Sequence, residues 1–373
     1  MADLYIGLMS GTSLDGADGV LIDFSGPKLR VVANATESFT AEFRAELLAL
    51  NSPSHNELHR AAIAANQLAA VYSQVVATLL SKAGASATAV TAIGAHGQTV
   101  RHQPQQRPAI ASYSLQLNNP ALLAELTGMD VVADFRSRDV AAGGHGAPLV
   151  PAFHRSVFGA SGRTVLVLNI GGIANLSVLP AESANSAVLG FDCGPGNALM
   201  DAWCQQHTGQ AFDNAGAWAA TGKLIPALLS SLLDEPYFAE PPPKSTGRDL
   251  FSTDWLAAKL APFANARAQD VQFTLAELTA KSCITGASSY LNNSKQLIVC
   301  GGGAFNTRLM QRLQAGLPSV DVVPSSAHGL APLEVEAAAF AWLARQSVNR
   351  LPGNLPGVTG AAGLRVLGAI YPA

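Results

Sequence analysis

The sequence is short of charge and of long apolar runs, and each shortage excludes a class of function. Charged residues make up 13% of the 373, and 23 Lys and Arg against 26 Asp and Glu give a formal net charge of −3. A balance this mild provides no electrostatic footprint for nucleic acid or an anionic membrane. The sequence shows neither the basic stretch nor the cleavage site of a signal peptide, so none is predicted. No uninterrupted apolar run reaches the roughly 20 residues that span a bilayer.

Cysteines are also few, and their spacing excludes the commonest metal sites. The four of them, Cys193, Cys204, Cys283 and Cys300, form no C-x-x-C pair, so neither zinc nor an iron–sulfur cluster is indicated. Dispersed thiols are typical of a reducing compartment, where they pack in the interior. We therefore expect a cytoplasmic protein whose partners include neither nucleic acid nor membrane.

Glycine and apolar residues are plentiful, and they predict a compact α/β chain with many tight turns. The sequence holds 34 glycines and is 49% hydrophobic, and its length suits two domains of about 150 to 200 residues each. Strand and helix patterns place the boundary near residue 130, giving domains 1–130 and 131–373 with a cleft expected between them. A helix over 332–345 is long enough to cross between the domains.

The stretch Gly7–Asp18, GLMSGTSLDGAD, predicts a glycine-rich hairpin that accepts an anion. Apolar strands enter and leave it, whereas a Walker loop needs a following helix and a lysine. Small residues let backbone N–H groups approach a phosphate, and hydroxyls and carboxylates stand beside them. This combination suits a polyphosphate and its metal. An ordinary hairpin turn is the alternative interpretation.

A second glycine turn, Ile170–Ile173, opens the second half of the chain in the same way, between strands Thr164–Asn169 and Ala174–Leu179. The repeated pattern of strand, glycine turn and strand indicates a weak internal duplication. Further on, strand Gln296–Cys300 runs into Gly301–Gly303 and then into a helix. This arrangement lets a nucleotide approach the backbone closely.

Asp192 stands at the end of a strand, just before a glycine–proline turn and the start of a helix. A general base needs a rigid mount and a carboxylate that stays ionised near neutral pH, and a strand end beside a helix N-terminus supplies both. The alternative is an aspartate that only caps the turn.

Two further strand ends carry polar side chains that we expect to line the cleft. Asp134 and Arg136 follow one strand, and an arginine fork there is suited to hold a carboxylate through two hydrogen bonds. A surface ion-pair cluster is the alternative. His96, Gln98 and Thr99 follow another strand and are further candidates.

Seven blocks of sequence, spread over essentially the whole chain, are long and unlike generic kinase motifs. They are IGLMSGTSLDGADG at 6–19, GAHGQTVRH at 94–102, ADFRSRDVAAGGHGAPLVP at 133–151, LNIGGIANLSVLP at 168–180, GFDCGPGNALMDAW at 190–203, CGGGAFN at 300–306 and VTGAAGLRVLGAIYP at 358–372. Together they closely resemble the anhydro-N-acetylmuramic acid kinase family of the actin-like ATPase superfamily. The departure is minor: Cys193 stands where that family more usually has Thr.

The resemblance implies an α/β fold of two actin-like ATPase (ribonuclease H-like) domains with a central nucleotide and substrate cleft. It implies an enzyme that uses ATP and Mg²⁺ to convert 1,6-anhydro-N-acetylmuramic acid to N-acetylmuramic acid 6-phosphate, hydrolysing the anhydro bridge in the same turnover. The product would enter peptidoglycan recycling. A homodimer is implied as well.

The resemblance also implies roles for residues at matching positions. Asp192 would take a proton from the water that attacks the anomeric carbon. Glu334 would touch the sugar, although Glu336 competes for that role, and Asp15 would hold Mg²⁺. Contacts with the nucleotide would come from Gly11, Thr12, Ser13, Leu14, Asp15, Gly16, Ala17, Asp18, Gly171, Gly172, Asn175, Gly301, Gly302 and Gly303, and contacts with the sugar from His96, Gln98, Thr99, Asp134, Arg136 and Glu334.

Three other hypotheses share parts of this pattern. A kinase for an ordinary sugar or a small carboxylate needs a base for a substrate hydroxyl instead of water, and opens no ring. An actin-like polymer or a chaperone-type ATPase turns over nucleotide without a small-molecule acceptor. An ATPase activator with a bridging iron–sulfur cluster is disfavoured by the dispersed cysteines.

Overall fold

A computed structural model gives the fold over residues 2–11, 13–104, 112–181, 187–242, 244–247 and 249–373. Within these residues the strands are β1 (Leu4–Met9), β2 (Gly16–Asp23), β3 (Arg30–Ser38), β4 (Val90–Ala95), β5 (Gln98–Gln103), β6 (Tyr113–Leu117), β7 (Val131–Ala133), β8 (Thr164–Ile170), β9 (Ile173–Leu179), β10 (Leu189–Pro195), β11 (Ser294–Cys300), β12 (Asp321–Pro324) and β13 (Ala369–Tyr371). The α-helices are α1 (Ala41–Ala49), α2 (Glu57–Ala83), α3 (Pro120–Thr127), α4 (Ser137–Ala141), α5 (Val150–Phe158), α6 (Ala198–Thr208), α7 (Pro226–Leu233), α8 (Thr253–Leu260), α9 (Ala268–Ser288), α10 (Thr307–Gly316), α11 (Val335–Val348) and α12 (Pro356–Thr359).

Side-chain caps fix where several of these helices begin. Thr40, Asn119, Ser252 and Asn306 each accept a hydrogen bond from the backbone N–H three residues further on, at 3.0 to 3.2 Å. Each cap satisfies an N–H group that the first turn of a helix leaves unpaired. Helices α1, α3, α8 and α10 therefore begin directly after these residues.

The chain divides into two compact units, and their boundaries differ from the predicted domains 1–130 and 131–373. Unit 1 comprises Met1–Val157 and Glu334–Ala373, and unit 2 comprises Phe158–Leu333. Strand β7 belongs to unit 1 because it pairs with both β4 and β13. Helix α11, expected to cross between domains, packs on β1, β2 and β4 of unit 1. Pairing with a strand more than two hundred residues away decides this boundary, and such pairing leaves no local signal in the sequence.

Unit 1 is built on a six-stranded sheet in the order β13-β7-β4-β1-β2-β3. β1, β2 and β3 form an antiparallel meander, as the sequence predicts. β4 adds in parallel to β1, β7 adds in parallel to β4, and β13 completes the edge antiparallel to β7. β5 and β6 form a separate two-stranded ribbon.

Unit 2 repeats this arrangement in a five-stranded sheet in the order β10-β9-β8-β11-β12. β8, β9 and β10 are antiparallel neighbours, β11 runs parallel to β8, and β12 runs parallel to β11. The order and the strand directions match those of β3-β2-β1-β4-β7 one for one. Both units therefore have the ribonuclease H-like topology of actin-like ATPase domains, in agreement with the predicted fold class and internal duplication.

Helix α2 is long and apolar enough, by length and composition alone, to cross a membrane. In the structure, Leu68, Tyr72 and Leu79 on its apolar face are fully buried, and the helix packs on β2 and β3. The core helix of a sheet domain passes the same test of composition. The burial of these three side chains identifies α2 as the core helix of unit 1.

Helix α11 lies against the sheet of unit 1 at a distance that only glycine permits. Gly7 of β1 and Gly94 of β4 are neighbours in the parallel register. A Cβ on Gly7 would overlap the carbonyl oxygen of Ala337, and a Cβ on Gly94 would overlap that of Phe340. Helix backbone therefore rests directly on strand backbone at the middle of the sheet.

Replacing Gly94 with alanine is expected to lower the free energy of unfolding by about 2 to 4 kcal/mol, because the added methyl group displaces α11 from the sheet. Gly26→Ala is the matched control, since its Cβ would stand 3.3 Å from its nearest neighbour, the Lys28 carbonyl oxygen. Urea unfolding followed by circular dichroism measures both variants. Equal midpoints for the two would contradict this packing.

Candidate functional site

The first glycine hairpin places a turn of small residues between β1 and β2. The turn covers residues 10–15, of which Thr12, a predicted phosphate contact, lies outside the described residues. Leu14 has a left-handed φ of 57°, and its N–H donates to the Gly11 carbonyl at 3.3 Å. The predicted contacts Gly16–Asp18 form the start of β2 and not the turn itself.

Asp15 and Asp18 bring two carboxylates to this hairpin. Asp15 is exposed, and its Oδ1 accepts a hydrogen bond from Ser13 Oγ at 2.6 Å. Asp18 Oδ1 accepts one from Thr36 Oγ1 at 2.7 Å. Burial raises the pKa of Asp18, the Thr36 hydrogen bond lowers it, and the negative charge of Asp15 raises it again. Two neighbouring carboxylates, one of which raises the pKa of the other, suit a cation.

His96 and Gln98, at the end of β4 and the start of β5, hold the same turn. Ser10 Oγ donates to Gln98 Oε1 at 2.5 Å, and the Ser10 carbonyl lies 3.3 Å from His96 Nδ1. Both side chains are buried. Thr99, predicted beside them, instead accepts a hydrogen bond from Gln116 Nε2 of β6 at 3.2 Å.

Arg136 is a half-buried cation whose two direct partners are neutral. Its Nη1 donates to the Gly146 carbonyl at 2.7 Å, and its Nη2 lies 2.8 Å from His96 Nε2. Burial, and secondly the charge of Arg136, lowers the pKa of His96 to about 3, so the imidazole is neutral. The hydrogen-bond network assigns the proton to Nδ1, which donates to Ser10, and leaves Nε2 to accept from Arg136.

The guanidinium of Arg136 forms no ion pair with any described carboxylate, and its Nε has no hydrogen-bond partner among the described residues. Burial lowers the pKa of Arg136 to about 10, while the charges of Glu336 and Asp139 act in the opposite direction. The group therefore stays protonated at neutral pH. A cation that is partly removed from water gains from an anionic partner, and a bound carboxylate or phosphate would supply one.

Asp139 supports this site, and the sequence analysis missed it. The residue is fully buried. Its carboxylate accepts hydrogen bonds from Gly146 N at 2.8 Å, Asn354 Nδ2 at 2.7 Å and Thr359 Oγ1 at 2.8 Å. Asp139 thereby fixes the backbone of Gly146, the same residue whose carbonyl receives Arg136.

Two predicted sugar contacts are engaged elsewhere in unit 1. Asp134 is exposed, and its Oδ1 accepts from Ser137 Oγ at 2.5 Å at the start of α4. Glu334 Oε1 accepts from Asn34 Nδ2 of β3 at 2.7 Å. Of the two competing acids, Glu336 is the one whose charge acts on Arg136.

In unit 2, the second glycine turn is hydrogen-bonded to the backbone at the start of α6. The Gly171 carbonyl accepts from Asn197 N at 2.8 Å, and the Gly172 carbonyl accepts from Gly196 N at 2.9 Å. A Cβ on Gly196 would overlap the Gly171 carbonyl oxygen. This turn and the N-terminus of the helix therefore form one backbone surface.

The glycine run Gly301–Gly303 packs on the end of β8 beside that surface. Gly301 has a φ of 77°, and a Cβ there would overlap Asn169 Oδ1. A Cβ on Gly303 would overlap the side chain of Ile170, whereas one on Gly302 would have Asn197 Nδ2 as its nearest neighbour, at 3.4 Å. The glycine run thus fits closely against the side chains of Asn169 and Ile170 with no room for side chains of its own at Gly301 and Gly303, a closeness that glycine in a strand or loop often marks.

Asp192 lies in a row of polar residues across the sheet of unit 2. It is directly opposite Asn175 of β9, which is in turn opposite Asn169 of β8. Residues directly opposite each other on neighbouring strands share a face of the sheet. The row therefore brings the predicted residues Asp192 and Asn175 together.

The segment 244–246 holds Asp192 through hydrogen bonds. Thr246 N and Ser245 Oγ donate to its Oδ2 at 2.9 and 3.1 Å. Its backbone N–H donates to the Lys244 carbonyl at 3.0 Å, and Tyr237 Oη donates to its carbonyl at 2.7 Å. Burial raises the pKa of Asp192, and the two donors to the carboxylate oppose that rise. Its Oδ1 receives no hydrogen bond from a described residue and is available to take a proton.

Sequence reasoning assigned no role to Asp139, Tyr237 or Ser245. The one local signal near Ser245 is the proline-rich run at 240–243, which precedes it in the sequence. Nothing local pointed to Asp139, because two of its partners lie more than two hundred residues away.

Comparison with known proteins identifies the family. The family described as "Anhydro-N-acetylmuramic acid kinase" matches residues 3–373. The anhydro-N-acetylmuramic acid kinase of Variovorax paradoxus is 62% identical over 373 residues, covering 100% of this chain and 99% of that one. The protein of the same name from Albidiferax ferrireducens is 62% identical over 390 residues, covering 100% of both chains.

One solved structure that matches this chain in a structural comparison is the activator of the 2-hydroxyisocaproyl-CoA dehydratase from Clostridium difficile with bound ADPNP. It is 13% identical, with a TM-score of 0.48, covering 94% of this chain and 98% of that one. The match of residues 3–373 and the full-length identities decide the assignment. The chain belongs to the anhydro-N-acetylmuramic acid kinase family.

Proposed function

We propose that this chain phosphorylates 1,6-anhydro-N-acetylmuramic acid at O6 with MgATP and hydrolyses its anhydro bridge in the same turnover. The product is N-acetylmuramic acid 6-phosphate, which serves peptidoglycan recycling in the cytoplasm, and the working form is a homodimer. Membership of the family supports the substrate and the reaction. The observation in the structure that carries the proposal is the carboxylate of Asp192, anchored through one oxygen and open at the other.

Asp192 acts as the general base for water. Its Oδ1 takes a proton from a water molecule as the water oxygen bonds to the anomeric carbon. The bond from that carbon to O6 breaks, and O6 bonds to the γ-phosphorus of ATP as ADP leaves. The anomeric carbon gains oxocarbenium character, as in glycoside hydrolysis. The leaving oxygen, O6, receives the phosphoryl group instead of a proton. One carboxylate thus supports both events.

Arg136 holds the lactyl carboxylate of the sugar. The residue is half-buried, its guanidinium is protonated, and its Nε is without a partner among the described residues. A carboxylate at this position would form an ion pair with charge-assisted hydrogen bonds, in addition to the more distant charges of Glu336 and Asp139. His96 and Gln98 support this part of the sugar site from the turn at Ser10. Thr99, Asp134 and Glu334 remain predicted sugar contacts. Each forms a hydrogen bond with another residue of unit 1, as described above.

The two glycine hairpins and Gly301–Gly303 bind the nucleotide through backbone. Residues Gly11–Asp18 contact the phosphates. Gly171, Gly172 and Asn175 are further nucleotide contacts, and Gly301–Gly303 contacts the adenosine. Among the described residues no three His, Cys, Asp or Glu side chains are grouped to hold a metal alone. Mg²⁺ usually binds phosphates with one or two carboxylates, so Asp15, with Asp18 beside it, fits. The ion would neutralise charge on the phosphates.

Product labelling tests the reaction. With 1,6-anhydro-N-acetylmuramic acid, MgATP and H₂¹⁸O, the parent protein is expected to give a phosphorylated sugar carrying ¹⁸O at the anomeric carbon, read by mass spectrometry. Asp192→Asn is expected to slow product formation by about 10²- to 10⁴-fold, because the base is lost. Asp321→Asn, an exposed aspartate of β12, is the matched control and should react like the parent.

Each other outcome points to a different function. A phosphorylated sugar without label would indicate an ordinary sugar kinase. ATP turnover that is indifferent to the sugar would indicate a polymer-forming or chaperone-type ATPase. Full activity of Asp192→Asn would remove that residue from the role of base.

Substitution of Arg136 tests recognition of the lactyl group. Arg136→Lys keeps a charge but loses the planar fork, and it is expected to lower kcat/KM for 1,6-anhydro-N-acetylmuramic acid by about 10²-fold. The same variant should change kcat/KM for 1,6-anhydro-N-acetylglucosamine, which has no lactyl carboxylate, by much less. Arg138→Ala, at an exposed arginine two residues further on in α4, is the control for loss of charge. Equal losses on both sugars would mean that Arg136 does not contact the carboxylate.

A further inference from the structure

The carboxylate of Asp192 is held asymmetrically. Both of its hydrogen-bond donors, Thr246 N at 2.9 Å and Ser245 Oγ at 3.1 Å, meet Oδ2. No described residue donates to Oδ1. A carboxyl group rotates broadly about its last bond unless it is held, so two donors on one oxygen fix which oxygen faces away from the segment.

The donors are themselves braced against β10. Lys244 Nζ donates to the carbonyls of Tyr237 and Phe238 at 3.0 and 3.3 Å and stands 4.5 Å from the centre of the Tyr237 ring. Phe238 fills the space beside Gly194, where a Cβ would be 2.6 Å from its ring. The backbone amide of residue 246 and the hydroxyl of Ser245 are thus carried by a segment tied to the strand on which Asp192 sits.

We propose that Ser245 is a positioning residue that orients the Asp192 carboxylate for proton transfer through Oδ1. The inference rests on the proposed function, in which Asp192 is the base for water. Thr246 provides its donor through the backbone, so any side chain at 246 keeps it. Ser245 provides its donor through the side chain alone, and it is therefore the one of the two that a substitution can remove.

Loss of the Ser245 hydroxyl also has a defined effect on ionisation. A hydrogen bond to the charged form of a carboxyl group lowers its pKa, and the Ser245 donor opposes the rise that burial causes at Asp192. Without this donor the pKa of Asp192 rises, so the ionised base is lost at a higher pH. The other titratable groups around this carboxylate are Tyr237, whose pKa burial raises, Lys244, whose pKa burial lowers, and Cys193, whose pKa is raised by its contact with Cys283 of α9 and by burial. Glu240 lies near Tyr237 and Lys244.

The experiment is a pH profile of kcat/KM for 1,6-anhydro-N-acetylmuramic acid with Ser245→Ala and with Ser245→Thr. For the alanine variant we expect the acidic limb to move upward by about one pH unit, with about a tenfold loss below it. The threonine variant keeps a hydroxyl and should restore the limb to its parent position. Ionisations of ATP and of the sugar are the same in every variant, so the difference comes from the protein.

Two controls separate positioning from a general loss of structure. Ser288→Ala removes an exposed serine hydroxyl, which donates to the Ile284 carbonyl at 2.6 Å, without touching Asp192, and should leave the profile unchanged. Tyr237→Phe removes a hydrogen bond to the backbone of Asp192, not to its carboxylate. It is expected to lower kcat without moving the acidic limb.

An unmoved acidic limb in Ser245→Ala, or an equal shift in Tyr237→Phe, would overturn the role of Ser245. Failure of the proposed function would look different. In that case Asp192→Asn would retain coupled hydrolysis and phosphorylation, whatever the profile of Ser245→Ala. Loss of activity in Asp192→Asn together with an unmoved limb in Ser245→Ala rejects only the positioning role.

Discussion

Backbone packed directly on backbone, with hydrogen as the only tolerated side chain, is the constraint on which both units depend. In unit 1, Gly7 and Gly94 let α11 rest on the sheet. In unit 2, Gly196 lies against the second glycine turn and Gly301 against the end of β8. Such contacts have no side chain that can change rotamer, so the turns they hold keep one position. Polar groups placed on these turns inherit that rigidity, which transfer of a phosphoryl group requires.

In each unit a charged side chain of the candidate site has an atom without a hydrogen-bond partner among the described residues, where a ligand would supply one. Arg136 has neutral acceptors on two nitrogens and none on Nε among the described residues. Asp192 has two donors on one oxygen and none on the other. Most buried polar atoms in folded proteins have at least one hydrogen-bond partner. Other atoms of the described residues also have none, Thr246 Oγ1 and Gln272 Nε2 for example. What Arg136 and Asp192 add is the chemistry of a cation and of a carboxylate at the candidate site.

Local patterns were enough to predict both hairpins, the α/β class and the candidate residues Asp192 and Arg136. Period-two apolar runs and glycine turns act over a few residues, so the sequence displays them directly. The domain boundary was wrong because β7 pairs with β13. Asp139 and Ser245 were missed for the same reason, since their roles depend on partners distant in sequence. The resemblance to a family allowed more residue roles to be assigned than local patterns alone did, but it did not distinguish Glu334 from Glu336.

The split of unit 1 into two stretches of chain has a consequence for the order of folding. Unit 2 is one continuous stretch, whereas the sheet of unit 1 takes β13, and its covering helix α11, from residues beyond 333. During synthesis from the N-terminus, unit 2 completes its sheet while unit 1 still lacks these elements. Asp139 receives Asn354 and Thr359 from the same late stretch, between α11 and β13. The hydrogen bonds that brace Gly146, and through it Arg136, are therefore complete only after residue 359 has been synthesised.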